Sequence, residues 1–280
     1  MQKIQFILSF LLICISANAQ KNDVLTNSQK EVLPFGVIER IQSVILNEER
    51  ILNIYLPQGY HPDSSLRYAT VYVLDGSAHE DFPHVAGLVQ FLNMYQLIPN
   101  SIVVGIANVD RYRDFTSLSK EKDDLESIPN NGGAEQFMEF IEKEVQPLII
   151  KNYRVNEQRT IIGQSLGGLL ATEILMAKPQ LFSDYIIVSP SLWWNDQRLV
   201  KSSHSYFKAH QELDINVFVS LGKEHTVMHK VADQLVDAIK KSGNEKITLF
   251  YEPILTEDHA TILHKAVYAA FEKFNPKPTK

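Results

Sequence analysis

Apolar residues along the chain follow two rhythms. Over residues 36–46 and again over 50–56 they alternate with polar ones, with Asn47-Glu48-Glu49 between, which predicts an antiparallel hairpin with one buried face. Residues 68–74 and 101–107 are instead nearly unbroken runs of β-formers, the pattern of strands covered on both sides. A helical stretch at residues 84–97 separates them. Over residues 134–149 Phe137, Phe140, Ile141, Val145 and Leu148 recur every three or four positions, the apolar stripe of a helix. Short apolar runs at 159–162, 185–188, 215–221 and 246–251 then alternate with helical stretches at 169–176, 197–210, 226–241 and 260–274. Strands separated by helices make βαβ units, so the expected architecture is α/β: a mostly parallel twisted sheet with helices on both faces and an antiparallel N-terminal edge. Residues 57–67 and 108–131 are polar and predict loops, the second long enough to carry function. No internal repeat and no Pro/Gly/Ser linker divides the pattern, which predicts one domain over residues 34–276.

The first 33 residues stand outside this rhythm. Lys3 precedes an apolar run over residues 6–15, and Ala17-Asn18-Ala19 offers a small-x-small cleavage site. This predicts a secretory signal peptide over residues 1–19, a flexible leader over 20–33, and a periplasmic or secreted mature protein with no membrane span. The only cysteine, Cys14, falls inside that peptide, so the mature chain has neither a thiol nucleophile nor a disulfide. Lipidation at Cys14 would want a small residue before it, where bulky Ile13 stands. The rest of the composition is ordinary for a globular chain of 280 residues, 45 % hydrophobic and 21 % charged. Removing Lys3 leaves 26 basic against 33 acidic groups, a net charge of −7. With no basic run, that charge argues against nucleic acid as a partner. No Cys/His cluster has zinc spacing, and no metal or other cofactor is expected.

The chemistry is signalled at Gly163-Gln164-Ser165-Leu166-Gly167, entered from the run ending at Ile162 and left into the helical stretch from Leu169. Strand, sharp turn and helix make this pentapeptide a nucleophile elbow, in which Ser165 is lifted on a strained turn at the positive end of the next helix. Gly163 and Gly167 are expected because a Cβ at either would collide with the neighbouring strand or helix. By average residue usage the pentapeptide would arise by chance roughly 0.04 times in such a chain. A serine hydroxyl needs a base to take its proton and a carboxylate to orient that base. On this kind of fold the chain order is Ser, acid, His, with the last two on loops after the final strands. Glu224, after the run ending at Leu221, and His259, after the run ending near Tyr251, occupy those places. Glu257 and Asp258 are nearer His259 in sequence but badly placed to reach their neighbour's Nδ1. The backbone N–H groups of Leu166 and Ser77 are the expected oxyanion donors, Ser77 through the close turn Asp75-Gly76-Ser77.

Together several segments resemble the "Putative esterase" branch of the α/β-hydrolase superfamily: the strand ending Leu74-Asp75-Gly76, the loop Arg111-Tyr112-Arg113-Asp114-Phe115-Thr116, the elbow through Gly168, Ser189-Pro190-Ser191-Leu192-Trp193-Trp194, and Leu221-Gly222-Lys223-Glu224. That branch contains siderophore trilactone esterases, S-formylglutathione hydrolases, feruloyl and acetylxylan esterases and mycolyl transferases. The likeness covers roughly residues 35–275 and is nearest to the siderophore-esterase members. It implies an α/β-hydrolase fold and serine ester hydrolysis through Ser165, Glu224 and His259, with no cofactor. It also implies substrate contacts from Gln164, from Arg113 at the pocket mouth, and from Trp193 or Trp194 stacking on an aromatic or sugar group. The natural substrate is expected to be a small-molecule ester, siderophore-like or a feruloyl or acetyl ester on polysaccharide. The other class to weigh is a binding protein that kept the fold and lost the reaction.

Overall fold

The structure, a computed structural model, describes residues 30–277; the expected signal peptide, Cys14 and most of the leader lie outside the described residues. Residues 35–277 belong to one compact unit. Its strands are β1 (Val37–Ser43), β2 (Glu48–Tyr55), β3 (Tyr68–Val73), β4 (Ser101–Ile106), β5 (Val155–Gln164), β6 (Asp184–Val188), β7 (Ile215–Ser220) and β8 (Ile247–Tyr251). They form a single sheet in the order β1-β2-β4-β3-β5-β6-β7-β8. β2 runs antiparallel to both β1 and β4, and all other neighbours are parallel. This is the α/β-hydrolase architecture with its antiparallel N-terminal edge.

The helices are α1 (Asp81–Met94), α2 (Arg111–Phe115), α3 (Lys122–Ser127), α4 (Ala134–Phe140), α5 (Gln146–Asn152), α6 (Leu166–Ala177), α7 (Trp194–Ala209), α8 (Thr226–Ser242) and α9 (Ile262–Phe274). The two-residue alternation of each central strand sorts its side chains between two cores. Val71, Val73, Val103, Ile162 and Ile186 pack with α1 and α9. Tyr72, Leu74, Val104, Ile161 and Tyr185 face the other way, under the helices from α4 to α8. Every residue of β3, β4 and β6 is buried, which is why those strands read as nearly unbroken apolar runs.

Three elements differ from expectation. The stretch 108–131 carries α2 and α3 instead of being loop throughout; each is under two turns, too short for a periodic signal, although Asp110 caps α2 by accepting from the Arg113 N–H at 3.0 Å. β5 starts at Val155, four residues before the apolar run, because residues 156–158 are exposed. The helix from Ala134 runs on to Asn152 through a π turn at Ile141–Val145.

The chain goes from β3 outward to β4 and then returns to lay β5 on the other side of β3. That reversal leaves a crevice at the carboxyl ends of β3 and β5, where doubly wound sheets bind their ligands. The turn Asp75-Gly76-Ser77 follows β3 and Ser165 follows β5, so the fold itself brings them together.

Candidate active site

Between the end of β5 and the start of α6 only Ser165 remains to reverse the chain. It takes φ 58° and ψ −118°, a region disfavoured for any residue with a Cβ, at a strain of about 1–3 kcal/mol. Neighbouring backbone enforces it. The Ser165 N–H donates to the Val188 carbonyl at 3.0 Å, and its carbonyl accepts from Leu169 and Ser191 N–H at 2.9 and 3.0 Å. A Cβ on Gly163 would strike the Gly167 carbonyl. The second crowded glycine is Gly168, whose Cβ would lie 2.9 Å from the Val188 oxygen; at Gly167, expected from the sequence to be the tight one, a Cβ would make only ordinary 3.4 Å contacts with Asp75 and Leu74.

Glu224 and His259 reach the same place from the loops after β7 and β8. The loops lie against one another: Lys223 N–H donates to the Glu257 carbonyl at 2.6 Å, and a Cβ on Gly222 would come within 2.7 Å of that same oxygen. His259 Nδ1 sits 3.2 Å from Glu224 Oε2, with the carboxylate side chain 3 % exposed and the imidazole 48 % exposed. The other carboxylate oxygen accepts from the Ser189 hydroxyl and from the Gly222 N–H. Burial pushes the Glu224 carboxyl up, but the hydrogen bonds from His259, Ser189 and Gly222 and the charge of His259 outweigh it, holding the group below the usual glutamate value. Asp258 is engaged elsewhere: its carboxylate accepts from the Ala260 and Thr261 N–H groups at 2.9 and 3.2 Å and starts the approach to α9.

Ser165, Glu224 and His259 line one open cavity of about 490 Å³ together with Ser191, Trp193 and Met228. The Ser165 hydroxyl lies 3.4 Å from Ser191 Oγ, and among the described residues it makes no hydrogen bond to the imidazole. Such bonds commonly tighten only when substrate arrives. Lys223 and His225 add cationic or protonatable groups to the cavity wall.

The turn after β3 can be followed group by group. Gly76 N–H donates to Ile106 at 3.0 Å, and the Gly76 carbonyl accepts from the buried Asn53 amide at 2.8 Å. Ser77 Oγ accepts from the Asn108 N–H at 3.3 Å and the Ser77 carbonyl from the Glu80 N–H at 3.0 Å. The Ser77 N–H is the backbone group of these two residues left without an acceptor among the described residues, and the Leu166 N–H at the first turn of α6 is likewise free.

Of the residues expected to touch substrate, Arg113, Trp194 and Gln164 are held by other protein groups. Arg113 is absent from the cavity wall: its guanidinium pairs with Glu48 at 2.6 Å and Asp114 at 2.7 Å, beside the fully buried Arg50 that shares both carboxylates. Trp194 is core, 2 % exposed, with its indole N–H donating to the Ser117 carbonyl at 2.9 Å. Trp193, packed edge-on against it, is the tryptophan that faces the cavity. Gln164 donates its side-chain amide to the His259 carbonyl and so joins the elbow to the loop after β8. The reason for the split tryptophans lies just after them: Asn195, Asp196 and Gln197 all have φ between 48° and 59°, so the chain kinks there and regular helix begins only beyond Gln197. Arg111, Asn108, Ser189 and Ser191 border the site without having been singled out. They share its loops, but their types are common on surfaces and only contacts distinguish them.

The chain and its fold resemble known esterases. Residues 43–255 match the family described as "Putative esterase". Ferri-bacillibactin esterase BesA of Bacillus subtilis (strain 168) is 29 % identical over 238 residues, 78 % of this chain and 82 % of that one. Among solved structures, an IroE-like serine hydrolase from Shewanella oneidensis superposes with a TM-score of 0.76 at 27 % identity, covering 86 % of this chain and 80 % of that one. The BES protein from Bacillus cereus gives 0.77 at 26 % identity, covering 89 % and 99 %.

Proposed function

The chain belongs to the "Putative esterase" family of the α/β-hydrolase superfamily and is a carboxylic ester hydrolase, and we propose that it cleaves siderophore esters through a Ser165–His259–Glu224 triad and an acyl-enzyme. The observation that carries the mechanism is the strained Ser165 opening into a cavity whose wall includes His259, held at Nδ1 by a buried carboxylate. In this reading His259 Nε2 takes the Ser165 proton as Oγ attacks the ester carbonyl, and Glu224 stabilises the imidazolium. The Leu166 and Ser77 N–H groups hold the oxyanion. The imidazolium then protonates the departing alkoxide, and the neutral ring activates water to release the acid from Ser165.

Two lines support a siderophore ester as the substrate. The relative named as a ferri-bacillibactin esterase shares most of its length with this chain. The cavity also offers Trp193 and Met228 to an aromatic ring, with Lys223 and His225 near enough to meet negative charge. Read as a signal peptide, residues 1–19 support a reaction outside the cytoplasm; among the described residues no helix is long and apolar enough to cross a membrane.

The test is a substrate panel of an enterobactin-type trilactone, methyl ferulate and acetylated xylan, with Ser165→Ala as control. The trilactone should give the highest kcat/KM, by about tenfold or more, consistent with roughly 1.4 kcal/mol or more of added transition-state contact. A preference for methyl ferulate or for acetylated xylan would move the enzyme to the polysaccharide esterases.

A further inference from the structure

Arg111, at the start of α2, grips the turn that carries the Ser77 N–H. Its Nε donates to Asp75 Oδ1 at 2.6 Å and its Nη2 to Asp75 Oδ2 at 2.9 Å, a two-point fork. Asn108 donates to the same Oδ1 at 2.7 Å, and its N–H donates to Ser77 Oγ. Asp75 has φ 56°, a conformation that a residue with a side chain keeps only where its surroundings enforce it. The guanidinium also reaches the Gln164 carbonyl, 3.4 Å away and one residue before the nucleophile. A single cation therefore ties the end of β3 to the end of β5.

The tie is itself anchored. Arg111 lies over the buried Phe115 ring at 5.6 Å. Three residues further along α2, Asp114 is 1 % exposed and pairs with Arg50 of β2 at 2.5 Å. α2 is thus fixed to the sheet by one end and holds the turn with the other.

Charge adds a second reason for the contact. The Asp75 carboxylate stands beside the first turn of α6, within 3.4 Å of where a Gly167 Cβ would be, and two residues from Ser77. An uncompensated anion there would oppose the negative charge that grows on the substrate carbonyl.

We infer that Arg111 is a positioning residue for ester hydrolysis: it clamps Asp75 to the end of β5, cancels its charge, and so keeps the Ser77 N–H aimed at the oxyanion. The inference rests on the reading of Ser77 as an oxyanion donor. Arg111 acts through Asp75 and touches no substrate, a different task from the one the sequence suggested for its neighbour Arg113.

The test compares Arg111→Met, Arg111→Lys, Asp75→Asn, the Met/Asn double variant and Ser77→Pro on an aryl ester. Rates are normalised to active sites titrated with a phosphonate, so only folded enzyme is counted. Affinity for an aryl boronic acid, which forms a tetrahedral anion on Ser165, is the second readout. Arg111→Met should lower kcat by about 10- to 100-fold with KM changed less than about threefold, the scale of a displaced catalytic group. Boronate affinity should fall in parallel, Arg111→Lys should lie between, and the double variant should recover part of the loss because it removes the exposed charge as well. A rise in KM at constant kcat, unchanged boronate affinity, or losses that multiply in the double variant would each overturn the inference. Should Arg111→Met yield no titratable sites, the Lys and Asn variants decide by the same criteria. Ser77→Pro deletes the donor itself: if it leaves kcat and boronate affinity intact, the Ser77 reading fails, whereas losses there without losses at Arg111 sink only the clamp.

Discussion

Ser189 takes φ 43° one residue past β6, and from that position its hydroxyl donates to Glu224 Oε1. The bond helps hold the carboxyl below its usual value against burial, so Ser189→Ala should let the Glu224 pKa rise. Protonation would then reach the acid at higher pH, and the acidic limb of the kcat–pH profile should move upward. An unmoved acidic limb would mean Ser189 is only structural. The two tryptophans make a second contrast. Trp193→Ala should raise KM for aryl esters while leaving the melting temperature nearly unchanged. Trp194→Ala should cost about 3–5 kcal/mol in denaturant unfolding, the usual scale for a large core truncation. Both stand in one short motif, and no periodicity tells them apart. The kink at Asn195, Asp196 and Gln197 does. In the same way Arg113 and Arg111 are two residues apart and equally charged; only the half-buried Glu48 and the buried Asp114 show which one is tied to the hairpin.

α1 begins with an acidic residue against an acidic turn. Burial, followed by the charges of Asp75 and Glu80, pushes the Asp81 carboxyl up to about 6, with Arg111 pulling the other way. A raised folded-state pKa means the protonated form is the one the fold prefers. The stability this gives is full below about pH 4 and is lost as pH climbs through about 6. Asp81→Asn should therefore raise the melting temperature at pH 7 and above and leave it unchanged near pH 4; an equal shift at both pH values would contradict the assignment. Elements buried on both faces, such as β3 and β4, announce themselves in sequence, because nearly every position is apolar. α2 and α3 do not, being held by Asp114 and Asp124 through tertiary partners many residues away.

At the scale of the molecule, the sheet's reversal between β3 and β5 gathers four loops at one edge: the Ser77 turn, the elbow, the Glu224 loop and the His259 loop. Chain order made the juxtaposition of Ser165, Glu224 and His259 legible, because the order of strands in the fold determines which loops can meet. It could not give the sides of the cavity. Its width and its lining by Trp193, Met228 and Lys223 depend on how α7 and α8 pack, which no local pattern encodes. The central claim is that ester cleavage passes through a covalent bond to Ser165. The direct measurement is peptide mass mapping of the enzyme quenched in acid during turnover of p-nitrophenyl butyrate. We predict one butyryl group per chain, on the peptide containing Ser165, absent from Ser165→Ala, which also loses turnover. Wild-type turnover by Ser165→Ala, or the acyl group on another residue, would contradict it.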